Sequence, residues 1–309
     1  MRIVGQFEDM ASFAPVAMAV GMFDGVHRGH QILMARARER AEGAGGEAWV
    51  LSFARHPLSV LEPEAAPRML CTTAQKLEYF KEAGMAGCLL LDFTPEFSRT
   101  PAERFLERVV EAIPSLKTIV AGENWRFGHR AAGDVKLLAE RGPVLGYDAV
   151  VPPPVLWREV PISSTRIREA IRLASLREAR AMLGRWPCLS APVVHGLKRG
   201  RQLGFPTANL ETGMAQLPPD GIYAGRARIG SATYDAAVYI PRDERSHPAA
   251  VEVHVLDVEE DLYGTELAVE FVERIRPDDR RFGRDEELIA QIGSDVDAAR
   301  RILAGPGAD

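Results

Sequence analysis

The sequence predicts two domains of different class: an α/β domain over residues 1–185, then an antiparallel β-barrel or sandwich over 186–309 that ends in a helix. Three observations predict it. Through the first half, five short apolar runs alternate with segments of helical period, the rhythm of a parallel sheet covered on both faces by helices. Around LGRWPC, residues 183–188, that rhythm stops and β-branched runs of period two succeed one another with turn residues between them. From about Arg284 to Leu303 one amphipathic helix closes the chain. At 309 residues there is room for two cores of ordinary size.

The first apolar run, 16–20, leads through the turn GMFDGVHRGH at 21–30 into a helix over 31–43, where Ile32, Leu33, Ala35 and Ala37 stand among Arg36, Arg38, Glu39 and Arg40. WVLSF at 49–53, CLLLDF at 88–93, TIVAG at 118–122 and AVV at 149–151 are the next strands. Segments 74–84, 101–112 and 134–141 carry apolar residues at three and four spacings and are the helices between them. ISSTRIREAI, 162–171, opens a further helix. In the second half the strands are PVVHG at 192–196, GIYAGRARI at 221–229, YDAAVYI at 234–240, VEVHVLDV at 251–258 and ELAVEFVERI at 266–275. The closing helix has Asp285 and Glu286 in its first turn and Leu288, Ile289, Ile292, Val296 and Ile302 roughly along one side.

With 46% hydrophobic and 26% charged residues the chain is an ordinary globular protein, neither disordered nor fibrous. A net charge of -5 offers no global attraction for nucleic acid, and the run LKRGR at 197–201 is short enough to be a solvated loop or a small-anion site. Cys71, Cys88 and Cys188 are odd in number and widely spaced, which argues against a disulfide framework and for a reducing compartment. The N-terminus lacks a secretory pattern and nowhere do 18 apolar residues run together. A cytoplasmic protein is expected, with neither nucleic acid nor membrane as partner, as a monomer or weak homo-oligomer.

In open α/β sheets, ligands bind beyond the carboxyl ends of the strands, so the loop directly after each strand is where binding residues are expected. The 21–30 turn sits at a predicted helix N-terminus, which presents N–H groups and a partial positive charge to an anion. Gly21, Gly25 and Gly29 let backbone approach a phosphate without a Cβ in the way. His27 and His30 share a face there and can donate to charge developing during nucleotidyl transfer. The competing reading is half of a zinc site, and no nearby cysteine or carboxylate set completes one. After the second strand comes ARHP, where His56 either shapes the loop or contacts a ligand. After the fourth comes GENWRFG, 122–128: Asn124 offers donor and acceptor to a base or ribose, while Trp125 and Phe127 supply a stacking face or anchor the loop. Arg166 and Arg168 oppose the dipole of the helix that ISSTRIREAI begins, which suggests an external anion. Taken alone, the serines and threonine read first as a plain Ser/Thr cap.

Two stretches of the second half can carry chemistry. HGLKRGRQLGFPTANL, 195–210, joins a glycine- and base-rich segment to a rigid run; Thr207 and Asn209 are neutral oxygen ligands of the kind suited to Mg²⁺ already carrying nucleotide phosphates, though composition alone reads a loop. In VEVHVLDV, Val251, Val253 and Val255 face one way and Glu252, His254 and Leu256 the other. A carboxylate ringing a barrel mouth can take a proton from a hydroxyl attacking a γ-phosphate; the alternative is a Glu252 that simply faces solvent.

GMFDGVHRGH, the GEN-x-x-FG loop and ISSTRIRE, in that order, resemble the adenylyltransferase module of bacterial bifunctional riboflavin kinase/FAD synthetases. RGRQLGFPTANL, GIYA, VEVHVLD, DLYG and ERIRPDDRRF are similar to the riboflavin kinase module of the same family, over about 187–304. The resemblance implies a Rossmann-like nucleotidyltransferase domain that transfers AMP from ATP to FMN with release of pyrophosphate. It also implies a riboflavin kinase-like six-stranded barrel with a terminal helix, which phosphorylates riboflavin to FMN. In the first module it implies that His27 and His30 hold ATP phosphates and that Gly21, Phe23, Asp24 and Gly25 shape the nucleotide pocket. Asn124 would bind nucleotide, Ser164, Thr165 and Arg168 would close on the triphosphate, and His56 and Phe127 would lie toward the flavin. In the second module Glu252 would be the base, Thr207 and Asn209 would bind Mg·ATP, and Gly196, Gly200 and Arg201 would belong to the loop covering its phosphates. Arg276, Phe282 and Leu288 would lie toward the flavin. One departure stands out: where the family has a Gly-x-x-Pro-Thr-Phe segment before the base, this chain has YIPRDERSHPAA. An adenylyltransferase whose barrel only binds flavin or a partner is the alternative this departure raises.

Overall fold

The computed structural model describes residues 1–10, 14–196, 199–242, 251–258, 262–280 and 282–307. The chain forms two compact units, Met1–Pro67 with Thr73–Ser163, and Arg68–Thr72 with Ser164–Asp309.

In the first unit the elements run β1 (Arg2–Val4), β2 (Val16–Val20), α1 (Arg28–Gly43), β3 (Glu47–Phe53), α2 (Leu58–Leu61), α3 (Thr73–Glu82), β4 (Gly87–Leu91), α4 (Ala102–Ala112), β5 (Leu116–Ala121), α5 (Val135–Leu145) and β6 (Asp148–Val150), with a hairpin of β7 (Leu156–Trp157) and β8 (Val160–Pro161). Strands β1 to β6 make one wholly parallel sheet in the order β1-β4-β3-β2-β5-β6. The chain winds from β2 through β3 to β4 on one side and then returns to β5 on the other. The direction therefore reverses between β2 and β5, the place where an open parallel sheet leaves a crevice.

The run VAMAV is buried along its whole length because both faces of β2 are covered. Val16, Met18 and Val20 pack with Phe105, Leu106 and Val109 of α4. Ala17 and Ala19 face the other way and pack with Leu33, Met34, Ala37 and Ala41 of α1. Small side chains on that face let α1 lie close to the strand, which fixes where its N-terminus emerges.

The second unit contains α6 (Ser164–Arg172), α7 (Leu176–Leu183), β9 (Cys188–Val194), α8 (Arg199–Gln202), β10 (Ala208–Leu210), β11 (Gly221–Ile229), β12 (Ala232–Ile240), β13 (Val251–Val255), β14 (Glu266–Arg276) and α9 (Asp285–Leu303). Its six strands close an antiparallel barrel in the order β10-β13-β12-β11-β14-β9. Val251, Val253, Leu267, Val269, Phe271 and Tyr223 fill the interior. Two register shifts between β11 and β14 fall at Ile222/Tyr223 and Ala224/Gly225, where the sheet must bend to close. Helices α6 and α7 belong to this unit, and Leu176 of α7 joins the barrel core.

Most of the expected elements lie where the periodicity puts them; β2 and β11 match residue for residue. Strands β1 and β10 and the β7–β8 hairpin have no period to announce them, and helix α7, whose Leu176, Ala179, Met182 and Leu183 do follow a helical period, is not among the expected elements. Strand β13 stops at Val255, short of the expected 258, and Leu256 beyond it is buried. The replaced 241–250 segment falls, from 243 on, outside the described residues.

Gly87 lies beside Trp49 on adjacent strands, and a Cβ there would stand 2.5 Å from the indole ring, which is itself buried. Gly87→Ala is expected to destabilise the sheet by about 1–3 kcal/mol, read as a lowered midpoint of urea unfolding.

Candidate active sites

Beyond the carboxyl end of β2, the backbone makes a turn with three left-handed residues, Phe23 at φ 54°, Gly25 at 77° and Val26 at 39°. For the β-branched Val26 this is a strained conformation, held because its side chain is buried, its N–H donates to Phe23 O at 3.1 Å and its carbonyl accepts from Gln31 Nε2 at 2.9 Å. The strain delivers His27 to the cap of α1, where Nδ1 accepts from His30 N at 3.3 Å. With Nδ1 an acceptor, the ring proton of a neutral His27 sits on Nε2, leaving a donor on the far side of the ring. His30 stacks on it, ring centroids 3.5 Å apart and 16° from parallel. Gly29 makes room: a Cβ there would stand 3.1 Å from His27 Cε1. Two imidazoles and the first N–H groups of α1 thus come together at a helix N-terminus beside the sheet's reversal point.

Phe23 does not face outward. Its ring is fully buried, lies edge to face with His30 and Phe80, and is the floor of the turn under Gly21. Asp24 and Gly25 are buried in the same turn. Across the reversal point Asn124 lies exposed in the loop after β5, whereas Phe127 is 7% exposed and stacked on Trp125 at 4.4 Å, an anchor of that loop within the core. His56 Nδ1 accepts from Leu58 N at 3.2 Å and so shapes the start of α2. Ser164, Thr165 and Arg168 begin α6 in the second unit, where Arg168 Nε donates to the Arg68 carbonyl at 2.6 Å. Among the described residues no cluster of three or more His, Cys, Asp or Glu can hold a metal, so the zinc reading of the histidine pair finds no further ligand.

In the second unit a groove of about 500 Å³ lies between the outer wall of the barrel and α9. Glu252 faces this groove and not a barrel mouth: its neighbours Val251 and Val253 point into the barrel, so alternation turns its carboxylate outward beneath the helix. Register builds the rest. Asn209 stands opposite Glu252, Glu252 opposite Tyr239, Tyr239 opposite Ile222 and Ile222 opposite Arg276, a row across five strands. Thr207 Oγ1 donates to Glu252 Oε2 at 3.2 Å, and His254 Nδ1 lies 2.8 Å from the Pro206 carbonyl, steadying the segment that carries Thr207. A Cβ on Gly196 would collide with the Asn209 amide and one on Gly200 with the Phe205 carbonyl at 2.4 Å, so both glycines permit backbone to close on the Thr207–Asn209 pair. Arg201 is exposed on α8. Phe282 and Leu288 line the opposite side.

Arg276 is already engaged: Nε and Nη2 bond Asp295 of α9 at 3.0 and 2.8 Å. Those bonds, and the charges of Asp295, Asp278 and Asp279, hold its pKa above the usual arginine value despite burial. Asp278 accepts from Tyr239 and from the Arg242 N–H at 3.1 and 3.2 Å. Sequence reasoning did not single out Asp295 and Tyr239; Asp295 shares the buried stripe of α9 with Ala299 and Leu303, a signal a helical projection would have raised. It also missed Lys76 and Ser52, buried behind the 21–30 turn.

A FAD synthetase family model matches residues 9–166, and a riboflavin kinase family model matches residues 183–303. The chain belongs to the bifunctional riboflavin kinase/FMN adenylyltransferase family. Curated members similar to it include those of Pseudomonas fluorescens, 34% identical over 94% of this chain and 93% of that one, and Escherichia coli K12, 33% over 93% and 92%. The Bacillus subtilis member is 30% identical over 94% and 93%. A crystal structure described as a macrolide-efflux protein from Streptococcus pneumoniae superposes with a TM-score of 0.84 at 30% identity, covering 96% of this chain and 98% of that one. Efflux in that description concerns the other protein; among the described residues here no helix is long and apolar enough to cross a membrane.

The Arg276–Asp295 pair pins α9 over the groove, with side chains 16% and 7% exposed. Asp295→Ala leaves that guanidinium without its carboxylate and is expected to destabilise the second unit by about 3 kcal/mol or more, measured by thermal or urea unfolding; Asp295→Asn is expected to lose less.

Proposed function

We propose that the family's two reactions run at these two places on the chain, FMN formation in the barrel groove and FAD formation at the β2–α1 turn. The kinase reading is carried by the convergence of Glu252, Thr207 and Asn209 on one groove wall. Glu252 takes the proton of the riboflavin ribityl 5′-hydroxyl as its oxygen bonds the γ-phosphorus of ATP; the bond to the β–γ bridging oxygen breaks and ADP leaves. Phe282 and Leu288 provide apolar surface for the isoalloxazine ring. The neutral oxygens of Thr207 and Asn209, the latter 7% exposed, fit Mg²⁺ that arrives already coordinated by phosphate, and Gly196 leaves the space a Cβ would fill beside Asn209. When bound, the ion neutralises phosphate charge.

At the turn, a phosphate oxygen of FMN bonds the α-phosphorus of a second ATP and pyrophosphate leaves. His27 Nε2, His30 and the N–H groups of α1 donate to the oxygens on which charge grows. Gly21, Gly25 and Asp24 shape this pocket from its floor, Asn124 reaches nucleotide from across the reversal point, and Ser164, Thr165 and Arg168 act on the triphosphate. The flavin lies toward His56 and the Trp125–Phe127 loop. The same reading divides the functional modules at about residue 185. It takes the odd, widely spaced cysteines as a mark of the reducing cytoplasm.

Because the two sets of residues are separate, their substitutions separate the reactions. His30→Ala is expected to lower FAD formation from FMN by about 10²-fold or more while FMN formation from riboflavin stays near wild type. Glu252→Gln is expected to lower FMN formation by about 10²- to 10⁴-fold and spare FAD formation. Both rates are read by chromatography of the flavins; equal loss of both from either substitution would contradict two sites.

A further inference from the structure

We infer that Lys76, a residue of α3 outside the nucleotide turn, is a positioning residue for adenylyl transfer. It is 2% exposed, with its ammonium at the carboxyl ends of β2 and β3. Nζ donates to the Phe53 carbonyl at 2.6 Å, to Ser52 Oγ at 3.3 Å and to the Met22 carbonyl at 3.4 Å. Ser52 Oγ in turn donates to the Met22 carbonyl at 3.1 Å. Met22 is the residue before the turn in which Phe23, Gly25 and Val26 are left-handed and which carries His27 and His30.

A buried lysine is a costly way to hold a loop, since an ammonium loses its hydration on burial unless carbonyls and hydroxyls replace its water. Here they do, and the place they come from is informative. The ammonium ties the end of one strand to the start of the strained turn on the next, so the turn cannot relax toward ordinary φ values without breaking charge-assisted bonds. It also lays a fixed positive charge against the Met22 carbonyl, at the start of the turn that leads into α1. Methionine has similar length and fills the same space, yet supplies neither.

The inference rests on the reading of the 21–30 turn as the ATP phosphate site, and the experiment separates the two. Initial rates of FMN adenylylation at varied ATP are measured for Lys76→Met and Lys76→Arg in the full chain, with riboflavin phosphorylation by the same preparations as internal reference. Lys76→Met is expected to lower kcat/KM for ATP in FAD formation by about 10²-fold, through both a raised KM and a lowered kcat, with phosphorylation unchanged. Lys76→Arg, which keeps the charge, is expected to recover part of the loss. A merely structural lysine would instead lower both activities with the folded fraction and leave KM for ATP unmoved, and that result, or an undiminished FAD rate, would overturn the inference. Ser52→Ala removes only the hydroxyl between Lys76 and Met22, and decides the matter if Lys76→Met fails to fold: a rise in KM for ATP of about threefold to tenfold supports the tie, and no rise overturns it. If His30→Ala leaves FAD formation intact, the reading of the turn has failed; if His30→Ala loses it and Lys76→Met does not, only the role of Lys76 has.

Discussion

A nucleoside triphosphate packs several negative charges into a short chain of phosphates, and a protein that must hold it has to bring N–H donors closer than side chains on ordinary backbone allow. In the function proposed above, both halves of this chain would meet that constraint with glycine turns that leave out a Cβ where the site's own residues come closest. In the first unit Gly25 takes a left-handed conformation within the turn, and Gly29 lies against the His27 ring. In the second, Gly196 and Gly200 lie against the segment that carries Thr207 and Asn209. The sheets behind these turns exist, in functional terms, to hold them still.

The two folds do so by different means. A parallel sheet buried on both faces needs helices, and each helix begins near the carboxyl end of a strand, so α1 supplies an N-terminus where the strand order reverses. This barrel is filled by apolar side chains, and the polar row of its outer wall lies in a groove under a helix. Helix α9 is that cover, and its buried Asp295 clasping Arg276 fixes the roof over the row from Asn209 to Arg276. One chain thus houses two reactions of the same flavin on unrelated scaffolds, each of which requires little covalent chemistry from the protein beyond positioning and charge neutralisation.

Much of this was legible in the sequence where the signal was local. VAMAV reads as a strand because it is apolar and short, and GIYAGRARI because it alternates; the 21–30 turn is visible because glycines and histidines stand between a strand and a helix. The features that escaped depend on remote partners. Strand β10 is three residues long and exists only because β9 and β13 flank it. That α6 and α7 fold with the barrel unit comes from Leu176 reaching its core, which no period in the helix reveals. The alternation of VEVHV gave the correct face for Glu252 but not its surroundings, because whether the outer face of a barrel is solvent or a covered groove is decided by the helix packed on it. Lys76 looks like any lysine in a helix until β3 and the Met22 carbonyl are placed around it.

The first measurement is a time course of the purified protein with riboflavin, excess ATP and Mg²⁺, monitoring riboflavin, FMN and FAD separately, beside a reaction started from FMN. If the barrel groove and the β2–α1 turn both work as proposed, riboflavin falls, FMN appears, and FAD accumulates in both reactions. Conversion of FMN to FAD with riboflavin left untouched would contradict that proposal and would make the barrel a flavin-binding module without kinase activity.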